Sequence, residues 1–502
     1  MPKQASPASR TSSTTNMPGT PGGSGGFGTG GAPRMFSLAW PLLAELGLTI
    51  ASGLAGTTLA ARLSDTSGAA FAMSNQVSAT LFILFRIIGA GVSVVVTQNL
   101  GAGQRDAARR VACAVLGASS WVGAITSLLA LLGAGGLLHL LNAPAEVLPL
   151  AAPFLRWLAP AMLFDAWNAS MASVMRAHLR TRDTLLVLIV MHVSHIAMAV
   201  PLMHGWPAPT AQGLGSVALS SVGLSASGLP ALGLPGYALA LAISRAIGLA
   251  LHLWLWRRHL AIVPARSDWW RLPRRELGAV LHIGLPGAAE NIAYRLAFMA
   301  SVAAAGLLGA TALATQAYVL QLMSGVMMFS LATGFAVEIV VGYLIGAGKL
   351  RDAHRTVRRA LLRGLVVSVL CATVAALAGR WLLGWFTQDP AIVRAGAALL
   401  WLTVLLEPGR VFNLVVINAL RAAGDARFPV AAGALSMLLV LAGGSWLFGV
   451  VLGWGLPGVW LAYAADEWIR GLVMWRRWAT QKWVPHARAS RKRLRPMIVV
   501  EG

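Results

Sequence analysis

Apolar runs of spanning length, separated by short polar stretches, recur along the chain from residue 36 to residue 475. A helix that crosses a bilayer needs about 20 apolar residues at about 1.5 Å of rise each. On that rule the spans fall near 36–61, 69–98, 112–141, 151–174, 184–204, 236–256, 278–305, 312–345, 360–385, 393–418, 429–452 and 456–475. The runs beginning at 69 and 312 are long enough to tilt or to extend past the bilayer. The pattern predicts an all-α polytopic membrane protein of twelve transmembrane helices, arranged as two pseudo-symmetric six-helix bundles.

The two bundles are predicted because the halves of the chain match at a constant offset of 245 residues. Trp40-Pro41 with Glu45 answers to Leu285-Pro286 with Glu290. Gln76 answers to Gln321, Gly89 to Gly334, Gly101-Ala-Gly103 to Gly346-Ala-Gly348, Asn168 to Asn413, and Arg176-Ala to Arg421-Ala. Apolar sequences share small residues by chance, but not Glu, Gln, Asn, Pro and Arg at one offset. Six spans per half make the repeats parallel, related by an axis along the membrane normal, with a substrate path expected between them.

Charge orients the bundle. The connections after spans two, four, six, eight and ten read GAGQRDAARR, RAHLRTRD, RRHLAIVPARSDWWRLPRRE, GAGKLRDAHRTVRRALLR and RAAGDAR, and RRWATQKWVPHARASRKRLR follows span twelve. Together these hold 28 of the 40 Lys and Arg, whereas the opposite stretches LSDTSG, NAPAE, 205–235, LLGAT, TQDPA and GLP hold none. Positive loops stay cytoplasmic, so both termini are expected in the cytoplasm. The predicted organisation is a disordered cytoplasmic tail (1–34), an N-terminal lobe (35–258), a basic cytoplasmic linker (259–277), a C-terminal lobe (278–476) and a basic cytoplasmic tail (477–502). Residues 1–34 are rich in Gly, Ser, Thr and Pro and lack the apolar core of a signal peptide.

Composition removes other classes. The chain is 57% hydrophobic and 11% charged, against about 25% charged in a soluble domain, and its mean hydropathy is +0.69. The net charge of +23 belongs to the loops rather than to one nucleic-acid-binding face. Cys113 and Cys371, in different halves, form no CxxC and no disulfide framework. The sequence has no HExxH, GxSxG or nucleotide loop, and the two GAG turns lack the ending of a phosphate loop. No enzyme, cofactor or metal site is therefore expected.

Ionisable groups within spans are costly and mark function by default. Glu290 lies mid-span, Pro286 should kink its helix and free a carbonyl, and Tyr294 follows at i+4 on the same face. Glu45 is the repeat mate of Glu290, nearer its helix end. Glu407, Arg410 and Asn413 form one i+3 stripe in span ten, either as an internal ion pair or as a group facing a cavity; Asp165 and Asn168 form the matching stripe in span four. Asp165 and Arg410 occupy equivalent positions with opposite charge. They either pair across the cleft, or Arg410 stays on Glu407 while Asp165 finds another partner. Glu338 suggests an anchor for nearby arginines. His192 and His195 share a face without a local Cys or carboxylate, as packing histidines do. Several of the 19 tryptophans sit at span ends, as in an interfacial belt, and Trp167 and Trp401 are placed to line a site for flat cations.

Proline plus acid in the first span of each half, NQV in span two, TQNLGAG and GYLIGAG closing spans two and eight, and LRAAGDARFP after span ten resemble the multidrug and toxic compound extrusion (MATE) family over about 36–480. The resemblance implies a monomeric bacterial inner-membrane antiporter that exports organic, often cationic, compounds, coupled to protons or sodium, with no other cofactor. Its coupling and substrate residues would come from Glu290, Tyr294, Glu45, Glu407, Arg410, Asn413, Asp165, Asn168, Gln76 and Gln321. Two positions depart from the family: Gly56 stands where many members carry Asp in span one, and Arg410 stands where many carry Asp in span ten. A flippase for lipid-linked saccharides is the alternative, resting on Arg86, Arg245, Arg295 and Arg410 as pyrophosphate ligands.

The topology has a direct test. In a background lacking Cys113 and Cys371, a single cysteine within 257–276, which holds six arginines, should resist an impermeant reagent in intact cells. A cysteine within 205–235 should react.

Overall fold

The computed structural model describes residues 35–141, 143–205 and 231–494. The tail 1–34, most of 205–235, the last residues of the C-terminal tail and the side chain of Arg86 lie outside this description. Among the described residues every regular element is helical. The N-terminal half contains α1 (Met35–Ala61), α2 (Asp65–Leu81), α3 (Ile83–Gly101), α4 (Arg105–Leu132), α5 (Ala134–Leu140), α6 (Leu148–Ala177), α7 (Thr181–His204) and α8 (Leu234–Leu255). The C-terminal half contains α9 (Arg274–Leu307), α10 (Ala310–Gly346), α11 (Leu350–Leu377), α12 (Gly379–Leu383), α13 (Pro390–Ala422), α14 (Arg427–Val451) and α15 (Gly455–Ala479), and α16 (Val484–Leu494) follows.

With α2 and α3 taken as one span, twelve segments have spanning length. Nine of them, among the described residues, also contain a stretch apolar enough to cross a bilayer. The other three, α6, α9 and α15, are of 30, 34 and 25 residues and carry charged groups inside the bundle. Lipid meets rows of large apolar side chains, such as Leu362, Val366, Leu370, Val374 and Leu377 along α11. In water such a patch would aggregate.

Several predicted boundaries shift. The basic runs RDAARR and LRDAHRTVRRALLR are not loops but the opening turns of α4 and α11. The span predicted at 69–98 breaks at Phe82, and that at 112–141 starts at Arg105 and breaks at Gly133. The C-terminal lobe starts at Arg274 rather than 278, and the tail from 477 finishes α15 and then forms α16. In each case basic side chains reach water from a helix end, so charge marks the membrane boundary more sharply than the helix boundary.

The GAG turns close α3 and α10 identically. Gly103 (φ +80) and Gly348 (φ +76) take left-handed backbone, which an L side chain resists. The Gln104 and Lys349 amides reach back to the Asn99 and Leu344 carbonyls at 2.9 and 2.8 Å, the paired hydrogen bonds of a Schellman motif.

The two lobes meet at this basic end. Leu38 and Leu42 of α1 pack into an apolar cluster built mainly by α10, α11, α13 and α15. In return Val280 and Ile283 of α9 pack into the cluster of the N-terminal lobe. Leu38 and Ile283 are repeat mates. At the opposite end the two clusters are each built from one lobe alone. Between the lobes α3 crosses α10 through small residues. Gly101 lies on the Tyr343 carbonyl, Gly346 on the Gln98 carbonyl, and Gly342 against Thr97. These contacts are reciprocal at the offset of 245, so the pseudo-two-fold axis runs through the crossing. Gln98 adds a hydrogen bond to the Ala422 carbonyl at 2.8 Å.

Gly346→Val should therefore push α3 and α10 apart, destabilising the protein by about 1–3 kcal/mol, read as a lower Tm in detergent. Gly325→Ala on the same helix, where an added Cβ meets nothing within 4 Å, should leave Tm unchanged or slightly higher.

Candidate functional site

The charged residues inside the spans form three neighbouring groups. The first lies between the lobes. Glu45 on α1 takes Arg176 of α6 at 2.8 Å, and Glu290 on α9 takes Arg421 of α13 at 2.5 Å. Both pairs span 131 residues of sequence, and each is the image of the other under the repeat. The Thr184 hydroxyl donates to the other oxygen of Glu45. Glu45, Arg176 and Arg421 line an inter-lobe cavity of about 340 Å³ that also receives Glu338 of α10, Ser93, Asn291 and Asn418. Glu338 is 6% exposed and faces the Ser93 hydroxyl across the interface.

The second group opens inside the N-terminal lobe as a cavity of about 420 Å³. Arg245 of α8 holds Asp165 of α6 at 2.7 Å. Asn168 donates to the Arg245 carbonyl at 2.9 Å and meets His252 Nδ1 at 2.9 Å. His192 and His195 are buried on the wall, and the His195 ring packs edge-on to Tyr237 with centroids 4.6 Å apart. The Tyr237 hydroxyl and Phe71 occupy the space beside Gly56. The position of the family's first-span Asp is thus filled by an aromatic pair.

The third group ties α13 to α15. Arg410 binds Glu407 at 2.5 Å and reaches Glu467 at 3.5 Å. Asn413 donates to Glu467 at 2.8 Å. Arg470 holds Asp466 at 2.6 Å and Glu467 at 3.2 Å, while Ser368 and Ser436 satisfy Glu407 and Asp466. All five charged members are buried. Unpaired, each would cost several kcal/mol; the i+3 and i+4 spacings on two facing helices allow full pairing.

Of the two arrangements open to Asp165 and Arg410, the structure has the second: Arg245 holds Asp165, and Arg410 stays on Glu407 with Glu467 beside it. Tyr294 stacks on Phe298 with centroids 6.0 Å apart, while Glu290 turns to Arg421. Gln76 and Gln321 are exposed and line neither cavity. The sequence reading passed over Arg176 and Arg421 as partners, although the offset carried each arginine with its acid. It also passed over Asp466, Glu467 and Arg470, three charges in one span. Arg245, which the flippase alternative would use as a pyrophosphate ligand, is the counter-ion of Asp165. Among the described residues no cluster of three His, Cys, Asp or Glu is placed to hold a metal ion.

Two six-helix lobes about one axis, closed on each other at one end and lined by paired charges, define a polytopic membrane transporter. The chain belongs to the MatE family, whose model matches residues 41–200 and 286–446, once in each half. It is 30% identical over 450 residues to the uncharacterised transporter YisQ of Bacillus subtilis, covering 90% of this chain and 94% of that protein. It is 27% identical to the probable multidrug resistance protein NorM of Bradyrhizobium diazoefficiens, covering 88% and 91%. The fold is that of the Vibrio cholerae MATE transporter VcmN in its bent form, with a TM-score of 0.76 at 17% identity over 91% of this chain and 97% of that one. A MOP-superfamily transporter from Pyrococcus furiosus shares it equally, with a TM-score of 0.78 at 17% identity over 91% and 97%.

A double-mutant cycle checks the pairing of Asp165. Asp165→Asn and Arg245→Gln should show a coupling of about 0.5–3 kcal/mol in thermal unfolding. Asp165→Asn with Arg410→Gln should instead be additive to within about 0.5 kcal/mol.

Proposed function

We propose that the protein is a proton-coupled antiporter that exports organic, cationic or amphipathic compounds across the bacterial inner membrane by alternating access, with both termini cytoplasmic. The observation that carries this reading is the mirrored pair Glu45–Arg176 and Glu290–Arg421, of which Glu45, Arg176 and Arg421 line a cavity between lobes whose shared apolar clusters, among the described residues, lie at the basic end. Such an interface can rock open at the basic end and close at the other without breaking either lobe's own core. The names of the NorM relatives support multidrug compounds as the cargo. The basic loops support a cytoplasmic closed end.

The donor set favours protons over sodium. Sodium requires several oxygen ligands, but Glu45, Asp165, Glu290, Glu407, Asp466 and Glu467 each already hold a guanidinium. A proton requires one carboxylate and no coordination shell. The flippase reading loses support for the same reason, since Arg245 and Arg410 are neutralised by acids instead of facing a pyrophosphate.

In vesicles with an imposed pH gradient, the wild-type protein should drive accumulation of ethidium. Glu290→Gln should insert at wild-type levels and lose about tenfold or more of that activity. An imposed sodium gradient that drives transport at equal pH would overturn the proton assignment. Unchanged activity in Glu290→Gln would move coupling away from that pair.

A further inference from the structure

Where α3 crosses α10, repeat mates face one another: Thr97 meets Gly342, and Ser93 meets Glu338. The second meeting is asymmetric, because one repeat supplies a hydroxyl and the other a carboxyl. Glu338 is 6% exposed, belongs to the C-terminal lobe, and faces the Ser93 hydroxyl of the N-terminal lobe. The same cavity is lined by Glu45 of α1, Arg176 of α6 and Arg421 of α13, the last paired with Glu290 of α9. Those four cancel in pairs, and both arginines are already engaged. Among the described residues Glu338 itself has no ion-pair partner within 4.0 Å. Among the described residues it is the acid of the inter-lobe cavity without an ion-pair partner. Asn418, 2% exposed, lines the same cavity with its side-chain carbonyl oxygen unpartnered.

Closing the basic end moves Glu338 from water into this interface with a single hydroxyl for company. A bare carboxylate there would cost several kcal/mol. A proton removes the cost, and so does a monovalent organic cation; the cavity of about 340 Å³ is within the size range of small-ligand sites. We propose that Glu338 is the shared binding site of antiport: the lobes close at the basic end only when its charge is compensated, by one proton or one organic cation, and never when it is empty and ionised. The proton is released to water as the basic end opens, leaving a carboxylate that the cation then meets. This rests on the proton-antiport reading above and adds to it the residue and a one-for-one exchange.

The test uses the full chain in proteoliposomes, with Cys113 and Cys371 removed and spin labels at positions 106 and 351. Asp106 and Arg351 are exposed repeat mates at the basic end, one on each lobe. In the wild type the label separation should lengthen as pH rises from about 5 to about 8, and saturating ethidium at the higher pH should shorten it again. Glu338→Gln should hold the short separation at every pH, ignore ethidium, and lower pH-gradient-driven uptake by about tenfold. Glu338→Asp, which keeps the carboxyl, should retain both responses. A Glu338→Gln protein that still opens with pH, or still closes on ethidium, would overturn the assignment. Should Glu338→Gln fail to insert, a wild-type infrared difference spectrum with no carboxyl deprotonating between the two pH values would overturn it equally. A wild type whose uptake ignores the pH gradient would defeat the antiport reading itself, whatever the labels report.

Discussion

The crossing of α3 over α10 is the contact on which the rest of the arrangement depends. Two helices approach this closely only where neither has a side chain in the way, and here Gly101, Gly342 and Gly346 supply the gap. With little hydrophobic force between helices in lipid, association rests on close packing and on interhelical hydrogen bonds. The crossing has both, since Gln98 reaches the Ala422 carbonyl beside it. Because contacting residues are repeat mates or reciprocal partners, the crossing also defines the axis. Every paired charge near that axis then has an image in the other lobe.

That symmetry explains how so many charges are tolerated. Glu45–Arg176 and Glu290–Arg421 are images of each other, each neutral within its own lobe, and the buried acids and arginines of α13 and α15 are satisfied by helix-face spacing. The three spans that fail a simple test of apolarity, α6, α9 and α15, carry Asp165, Arg176, Glu290, Asp466, Glu467 and Arg470 of this polar interior. The asymmetries are the informative places. Asp165 and Arg410 hold opposite charges at equivalent positions, so each lobe builds its own pocket chemistry. Ser93 and Glu338 leave one carboxyl on the axis without an ion pair of its own among the described residues.

The class of fold, the span count and the repeat were legible in the sequence because lipid imposes a strong one-dimensional rule. A spanning segment must be long and apolar, its flanks must bear the charge, and duplication leaves polar residues at one offset. The basic ends of α4 and α11 were misplaced as loops because hydropathy locates the bilayer edge, while a helix continues beyond it into water.

Which acid holds which arginine was decided only by tertiary structure. Asp165 with Arg245 and Arg410 with Glu467 join residues 80 and 57 positions apart through the packing of α6 on α8 and of α13 on α15. Sequence alone marked these groups as costly in a membrane, and therefore as important. Choosing their partners requires knowing which helix faces meet. Periodicity locates a face on one helix but not its neighbour, because in lipid many apolar surfaces would pack equally well, and only three-dimensional contact selects among them.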